Sequence, residues 1–445
     1  MKSASPVIDV RAWLDVQRFS VFQWRIVFLC FCIVAVDGFD TACVGFIAPA
    51  LMHEWQIGPA VLGGLFGAGL AGLMIGALFF GPLADRVGRK KTLIVTVTFF
   101  GLASLAAAYA PTVAFLIALR FITGLGLGGA MPNAIALTSE YCPERRKSFL
   151  TTVMFCGFTL GSGLGGVVSA QLLPDHGWRS VLLFGGVLPL ALVPILVIFL
   201  PESVRFMVSR ECQPARIGPL LSRIAPVHYD ENTRFSLQEI KVEGSPVRQL
   251  FAAEFRRGTL LLWCVFFMSL LIVYLMTNWL PTLIHHSGLS LATAARIAIF
   301  YQVGGTVGAL FIGYLMDRFP PTIVLGVAYA AGSAFLIATG SAQGPLLAAA
   351  VTGVGFCISG SQVGANAFAA RYYPTASRVT GVSWALGVGR FGSVCGALIG
   401  GILLSANIGF TLLFLLVAVP AAIASIAIFA CGVQPAIRST KSAAV

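Results

Sequence analysis

DGFDTACVGFIAPAL, residues 37–51, lies inside an apolar run that begins near Arg25 and reaches Ala50. At about 1.5 Å of rise per residue, such a run crosses a bilayer as one helix. Asp37 then sits roughly 18 Å from the entry end, near the midplane, with Asp40 one turn further on. Carboxylates at that depth are costly, and an ionisable side chain inside a membrane marks a functional site. At i,i+3 the two acids share one helix face. A carboxyl pair that takes up and releases a proton there suits a proton-coupled carrier. The bland alternative is a structural pair neutralised by a buried cation.

The composition agrees with a membrane setting. Of 445 residues, 58% are hydrophobic and 10% charged, whereas about a quarter of an ordinary soluble domain is charged. The 49 glycines fit close helix contact in lipid. The ten cysteines contain no CxxC pair and read as small packing residues, neither a disulfide framework nor a metal site. Residues 1–24 are not a signal peptide, because Asp9, Arg11, Asp15 and Arg18 interrupt any apolar core. Trp13, Phe19, Phe22 and Trp24 place this segment at the interface.

Apolar runs of about 20 residues give twelve spans, near 25–50, 60–82, 92–110, 112–138, 149–172, 179–200, 259–283, 290–316, 321–341, 345–369, 377–404 and 408–431. The expected fold is therefore an all-α membrane protein of two six-helix bundles. The segments are a cytoplasmic N-terminal segment (1–24), an N-terminal bundle (25–200), a central cytoplasmic loop (201–257), a C-terminal bundle (258–431) and a cytoplasmic tail (432–445). Of 29 lysines and arginines, 25 fall at the termini, in the central stretch or in connections on the same side. The positive-inside rule puts that side in the cytoplasm. Topology thus accounts for the net charge of +12 without nucleic acid. The halves also repeat: Pro49 and Pro281, read as span ends, are 232 residues apart, as are GPLAD (81–85) and GYLMD (313–317), while EYCP (140–143) and RYYP (371–374) are 231 apart.

GPLADRVGRKK, residues 81–91, connects spans 2 and 3. Its glycines permit a tight turn, and Arg86, Arg89, Lys90 and Lys91 form a cationic latch beside Asp85. Without a moving part, the same cluster would serve only topology. The string closely resembles the signature loop of the major facilitator superfamily. That resemblance implies that Asp85, Arg86, Arg89 and Lys90, with Glu140 near the end of span 4, gate the cytoplasmic side. The second copy keeps Asp317 and Arg318 but runs into Phe319-Pro320-Pro321, so its basic tail is missing. Within the superfamily, DGFDTACVGFIAPAL, RFITGLGLGGAMPN (120–133), SEYCPERRKS (139–148), LPESVRF (200–206) and GVSWALGVGRFG (381–392) are similar to the aromatic acid:proton symporters. The similarity is greatest to carriers of 4-hydroxybenzoate and protocatechuate.

The charges support an anionic cargo independently. Arg120 and Arg390 fall near mid-depth, one in each half, and a guanidinium grips a carboxylate with two parallel hydrogen bonds. Arg120 has an alternative partner in Asp37 or Asp40, since buried charges pair. Arg390 has no acid in the spans of its own half, which favours substrate, with backbone carbonyls or water as the alternative. All five histidines lie in loops or at span ends, and of 17 acids Asp37 and Asp40 alone reach mid-depth. They are therefore the proton-coupling candidates. Tyr274, Asn278, Tyr301, Gln302, Gln362, Asn366 and Trp384 supply rings to stack on a benzoate face and amides to read a ring hydroxyl. GSGLGG (161–166) has Ser162 where related antiporters carry proline, which favours symport, though packing alone explains it.

These features predict a monomeric, non-enzymatic importer in a bacterial inner membrane. It would work by alternating access on a small aromatic carboxylate and protons, with no cofactor or metal. A nucleotide loop, nucleophile elbow and zinc-ligand spacing are all missing from the sequence. A carrier of a sugar or aliphatic acid, or a non-translocating membrane sensor, are the competing readings.

Overall fold

The structure is a computed structural model that describes residues 7–210, 212–225, 233–236, 249–373, 377–406 and 408–432. Residues 1–6 of the N-terminal segment, 211, 226–232 and 237–248 of the central loop, Pro374 of the RYYP landmark and 433–445 of the tail lie outside the described residues.

The chain begins with strand β1 (Val7–Asp9) and helix α1 (Val10–Val16), which Asp9 caps by accepting from Arg11 N and Ala12 N. Long apolar helices follow: α2 (Val21–Trp55), α3 (Pro59–Val87), α4 (Arg89–Ala107), α5 (Val113–Tyr141) and α6 (Glu144–Phe199). At 56 residues, α6 would be roughly 84 Å long if straight, far more than one bilayer core. Gly177, with φ 70° and ψ 177°, breaks it into two helices, which answer to spans 5 and 6. Two short helices, α7 (Val204–Ser209) and α8 (Pro214–Ser222), and strand β2 (Arg234–Ser236) lie in the central stretch. The second half supplies α9 (Ala253–His286), α10 (Leu291–Arg318), α11 (Pro321–Thr339), α12 (Pro345–Val354), a π-helical turn (Gly355–Ser359), α13 (Gly360–Tyr372), α14 (Arg378–Ser405) and α15 (Phe410–Gly432). With α6 divided and α12–α13 taken as one crossing, twelve segments among the described residues are long and apolar enough to span a membrane.

One expectation is corrected. Pro49 and Pro281 do not end their helices; both lie inside, in α2 and α9. Proline removes one backbone donor, and in a membrane helix neighbouring groups re-satisfy the ladder. The stop for α2 comes later, at Gln56, whose φ of 49° and ψ of 40° leave the helical region.

The chain forms two compact units. The first comprises 1–241, 275–303 and 397–407; the second comprises 242–274, 304–396 and 408–445. In the first unit α2 lies along α6, α3 along α5, and α4 against both α5 and α6. The α2–α6 contact is backbone to backbone: a Cβ at Gly38 would collide with the Phe158 carbonyl, and one at Gly161 with that of Ala35. Ser162 Oγ then donates to Gly38 O at 3.0 Å. At one end, β1 pairs in parallel with β2, and Asp15 accepts from Glu144 N at 2.7 Å. In the second unit Tyr329 of α11 donates to Ser269 of α9 at 3.0 Å, and Trp263 stacks on Trp384 with centroids 5.8 Å apart.

The α2–α6 seam sets a clear expectation. Gly38→Val should destabilise the protein by about 1–3 kcal/mol or more through overpacking, read as a lower melting temperature in detergent. Gly64→Ala, where an added Cβ meets nothing, should stay within about 0.5 kcal/mol of wild type.

Candidate functional site

The Asp37–Asp40 face of α2 is wholly buried: the two residues are 0% and 1% exposed. Thr41 Oγ1 donates to Asp37 Oδ1 at 3.3 Å. Asp40 closes a ring across three helices. Ser104 of α4 donates to Asp40 Oδ1 at 2.6 Å, and Arg120 of α5 donates through Nη1 to Asp40 Oδ2 at 3.2 Å. Arg120 Nη2 donates to Ser104 Oγ at 3.1 Å. The serine hydroxyl thus donates a hydrogen bond to the acid and accepts one from the guanidinium. Sequence reasoning left Arg120 between two acids; the structure seats it on Asp40. Ser104 was missed, because a single serine in GLASLAAAY reads as a packing residue.

This cluster opens onto a cavity of about 40 Å³ lined by Asp40, Thr41, Arg120 and Asn278 among apolar residues of α2, α3 and α5. The space suffices for a few waters. Asn278 of α9 reaches it because Gly45 lies against the backbone of Thr277 and Asn278. Tyr301 and Gln302 of α10 are also buried in the first unit, but they do not line this cavity. The second unit carries the remaining candidates: Tyr274 and Arg390, both half-buried, Gln362 and Asn366 on α13, and Trp384, whose face covers Trp263.

Residues 81–91, expected as a loop, are instead the last turns of α3, Gly88 and the first residues of α4, and they form a separate polar site. Gly88, at φ 106°, ends α3 and starts α4. Asp85 pairs with Arg89 at 2.5 Å, and Arg89 also reaches Glu140 at 3.7 Å and Asn133 at 3.0 Å. Ser203 donates to Glu140 from the far side. Glu202 accepts from Lys90 N at 3.0 Å, and Lys90 Nζ donates to Val197 O at 2.8 Å. Arg86 is exposed, and its carbonyl accepts from Arg210. The second copy is built differently. Asp317 pairs with Arg371 at 2.8 Å, while Arg318 lies over the Tyr314 ring at 4.4 Å. Arg371 belongs to the RYYP landmark, so a cation from another helix end stands in for the missing basic tail.

A polytopic helical chain with a buried acid–guanidinium pair and a glycine-turned cationic loop describes a carrier architecture, and the family comparison decides which. The family model for the Major Facilitator Superfamily matches residues 30–352 and again 297–444. The chain belongs to that superfamily. A gallate transporter from Pseudomonas putida is 49% identical over 96% of this chain and 95% of its own. The 4-hydroxybenzoate transporter PcaK of Pseudomonas aeruginosa is 49% identical over 95% of each chain. A 3-(3-hydroxy-phenyl)propionate transporter from Escherichia coli is 37% identical over 86% of this chain and 87% of its own. The inward-open structure of the xylose transporter XylE from E. coli covers 94% of this chain and 98% of its own with a TM-score of 0.74 and 15% identity, a likeness of fold. This facilitator-superfamily protein is a transporter by family and not an enzyme. Among the described residues no group of His, Cys, Asp and Glu could hold a metal ion.

The buried pair predicts a stability signature. Arg120→Gln strands the Asp40 carboxylate and should cost about 3–5 kcal/mol, visible as a large drop in melting temperature. Combining it with Asp40→Asn removes both charges and should recover much of that loss.

Proposed function

We propose that this protein imports small aromatic carboxylates of the 4-hydroxybenzoate and protocatechuate kind together with protons, by alternating access, across a bacterial inner membrane. The observation that carries the reading is the ring of Asp40, Ser104 and Arg120, buried across three helices. The names of the 49%-identical relatives support the substrate class.

The coupling follows from charge conservation. While Asp40 is ionised, Arg120 has its counter-anion inside the protein. A proton on Asp40 removes that anion and leaves the guanidinium exposed to a low-dielectric cavity, where an unpaired charge is expensive. A substrate carboxylate then takes the vacated hydrogen bonds. Proton and anion therefore enter as a neutral pair, and Arg120 keeps one negative partner throughout. Asp37, one turn away on the same face, is the candidate for a second proton. One proton with one monoanion moves no net charge. A second proton would couple transport to membrane voltage, worth about 2.3 kcal/mol per charge per 100 mV.

The remaining roles are proposed on the same footing. Arg390 serves as a second carboxylate contact. Asn278, Gln302, Gln362 and Asn366 offer hydrogen bonds, and Tyr274, Tyr301 and Trp384 offer ring contacts. The Asp85–Arg89–Glu140 cluster, with Arg86 and Lys90, and the Asp317–Arg318 loop act as cytoplasmic gates. Lysine and arginine placement supports cytoplasmic termini, and the chain works as a monomer with six-helix bundles at 25–200 and 258–431.

Membrane vesicles with an imposed acid-outside gradient test the reading. Labelled 4-hydroxybenzoate should accumulate, a protonophore should collapse the accumulation, and Asp40→Asn should remove the gradient dependence. Equilibration insensitive to the protonophore would reduce the protein to a facilitator and the aspartates to structure.

A further inference from the structure

The helix pair α12 and α13 is joined by the π-helical turn at Gly355–Ser359. A π turn carries an extra residue per turn and re-aims the side chains beyond it, and such turns recur at functional positions. The faces of α13 can be told apart from its contacts. A Cβ at Gly360 would meet the backbone of Gly308 on α10, and one at Gly364 would meet Leu325 of α11 and Met316 of α10. At about 100° per residue, Gln362 and Asn366 lie on the opposite side of the helix. That side is not a lipid surface, since Gln362 is only 7% exposed.

Gln362 Oε1 and Asn366 Oδ1 are both buried, and neither accepts a hydrogen bond from any described residue. Buried polar atoms are nearly always paired, so each exception points to a missing partner. A hydroxyl can turn towards a nearby helix carbonyl, but an amide oxygen only accepts. The two oxygens therefore require a donor. Among the candidate amides, Asn278 and Gln302 show no orphaned buried atom, which singles out α13. Arg371, the cation at the end of α13, lies on the Gly360–Gly364 side by the same helical count and is paired with Asp317.

An aromatic carboxylate has two polar ends of opposite character. The carboxylate only accepts, so it meets these side chains only through their NH2 groups and leaves the two orphaned oxygens unpaired; a phenolic hydroxyl donates and satisfies them. We propose that Gln362 and Asn366 accept hydrogen bonds from the ring hydroxyls of a hydroxylated benzoate. They make α13 the element that separates hydroxylated from unsubstituted aromatic acids. At i,i+4 the two side chains are neighbours on one helix face, so a ring with more than one hydroxyl can engage both. The proposal rests on the transport reading given above and adds the part of the substrate that is read.

Proteoliposome uptake of labelled protocatechuate, whose two ring hydroxyls can serve both acceptors, over a concentration series, with benzoate tested both as substrate and as competitor, gives the preference for the hydroxylated acid. Gln362→Leu and Asn366→Leu, made separately, should each lower that preference about tenfold or more, because a buried acceptor selects strongly for its donor. Melting temperatures identify any variant that fails to assemble, in which case the other decides. Variants that assemble but keep the wild-type preference, whatever their absolute rate, overturn the proposal and leave the transport reading intact. A wild-type protein that accumulates neither acid overturns the transport reading, and this proposal with it.

Discussion

A carboxylate at the middle of a membrane helix must be neutralised, and the helix contacts around α2 are consistent with that need. Asp40 can meet Arg120 only if α2, α4 and α5 are held at fixed depth, and Ser104 makes the meeting three-cornered. The backbone contact of Gly38 with Phe158 and of Gly161 with Ala35 fixes the other side of α2. The acids therefore sit between a rigid glycine seam and a polar ring. Such an arrangement stabilises the fold by pairing the buried charges, and in the function proposed above the same atoms carry the proton.

Much of this was legible because lipid imposes a simple code. The apolar runs located the long apolar helices among the described residues, since an unpaired backbone group in hydrocarbon costs too much for anything but a helix. Depth within a run gave Asp37, Asp40 and Arg120 as inner charges. Gly177 breaks α6 into two helices, and the polar DHGWR segment showed that break between spans 5 and 6.

Other features were illegible for reasons that can be named. Proline is read as a helix stop from the behaviour of isolated chains, but Pro49 and Pro281 are carried by the surrounding bundle. Asp37 and Asp40 share a face, so periodicity could not say which one Arg120 takes; packing of α4 and α5 decides it. Ser104 looks like any small residue until the acid and the guanidinium are seen on either side. The replacement of the second basic tail by Arg371 is a tertiary substitution, invisible at the level of the loop. The two amide oxygens on α13 become informative only when their lack of partners among the described residues is known.

The central claim is that proton and anion exchange places on the Asp40–Arg120 pair. Recording external pH when 4-hydroxybenzoate is added to de-energised, weakly buffered cells expressing the protein tests it most directly. The account predicts a rise in external pH that tracks substrate entry, with at least one proton for each anion, and no such rise in cells expressing Asp40→Asn. Substrate entry at the wild-type rate with no accompanying proton movement would contradict it.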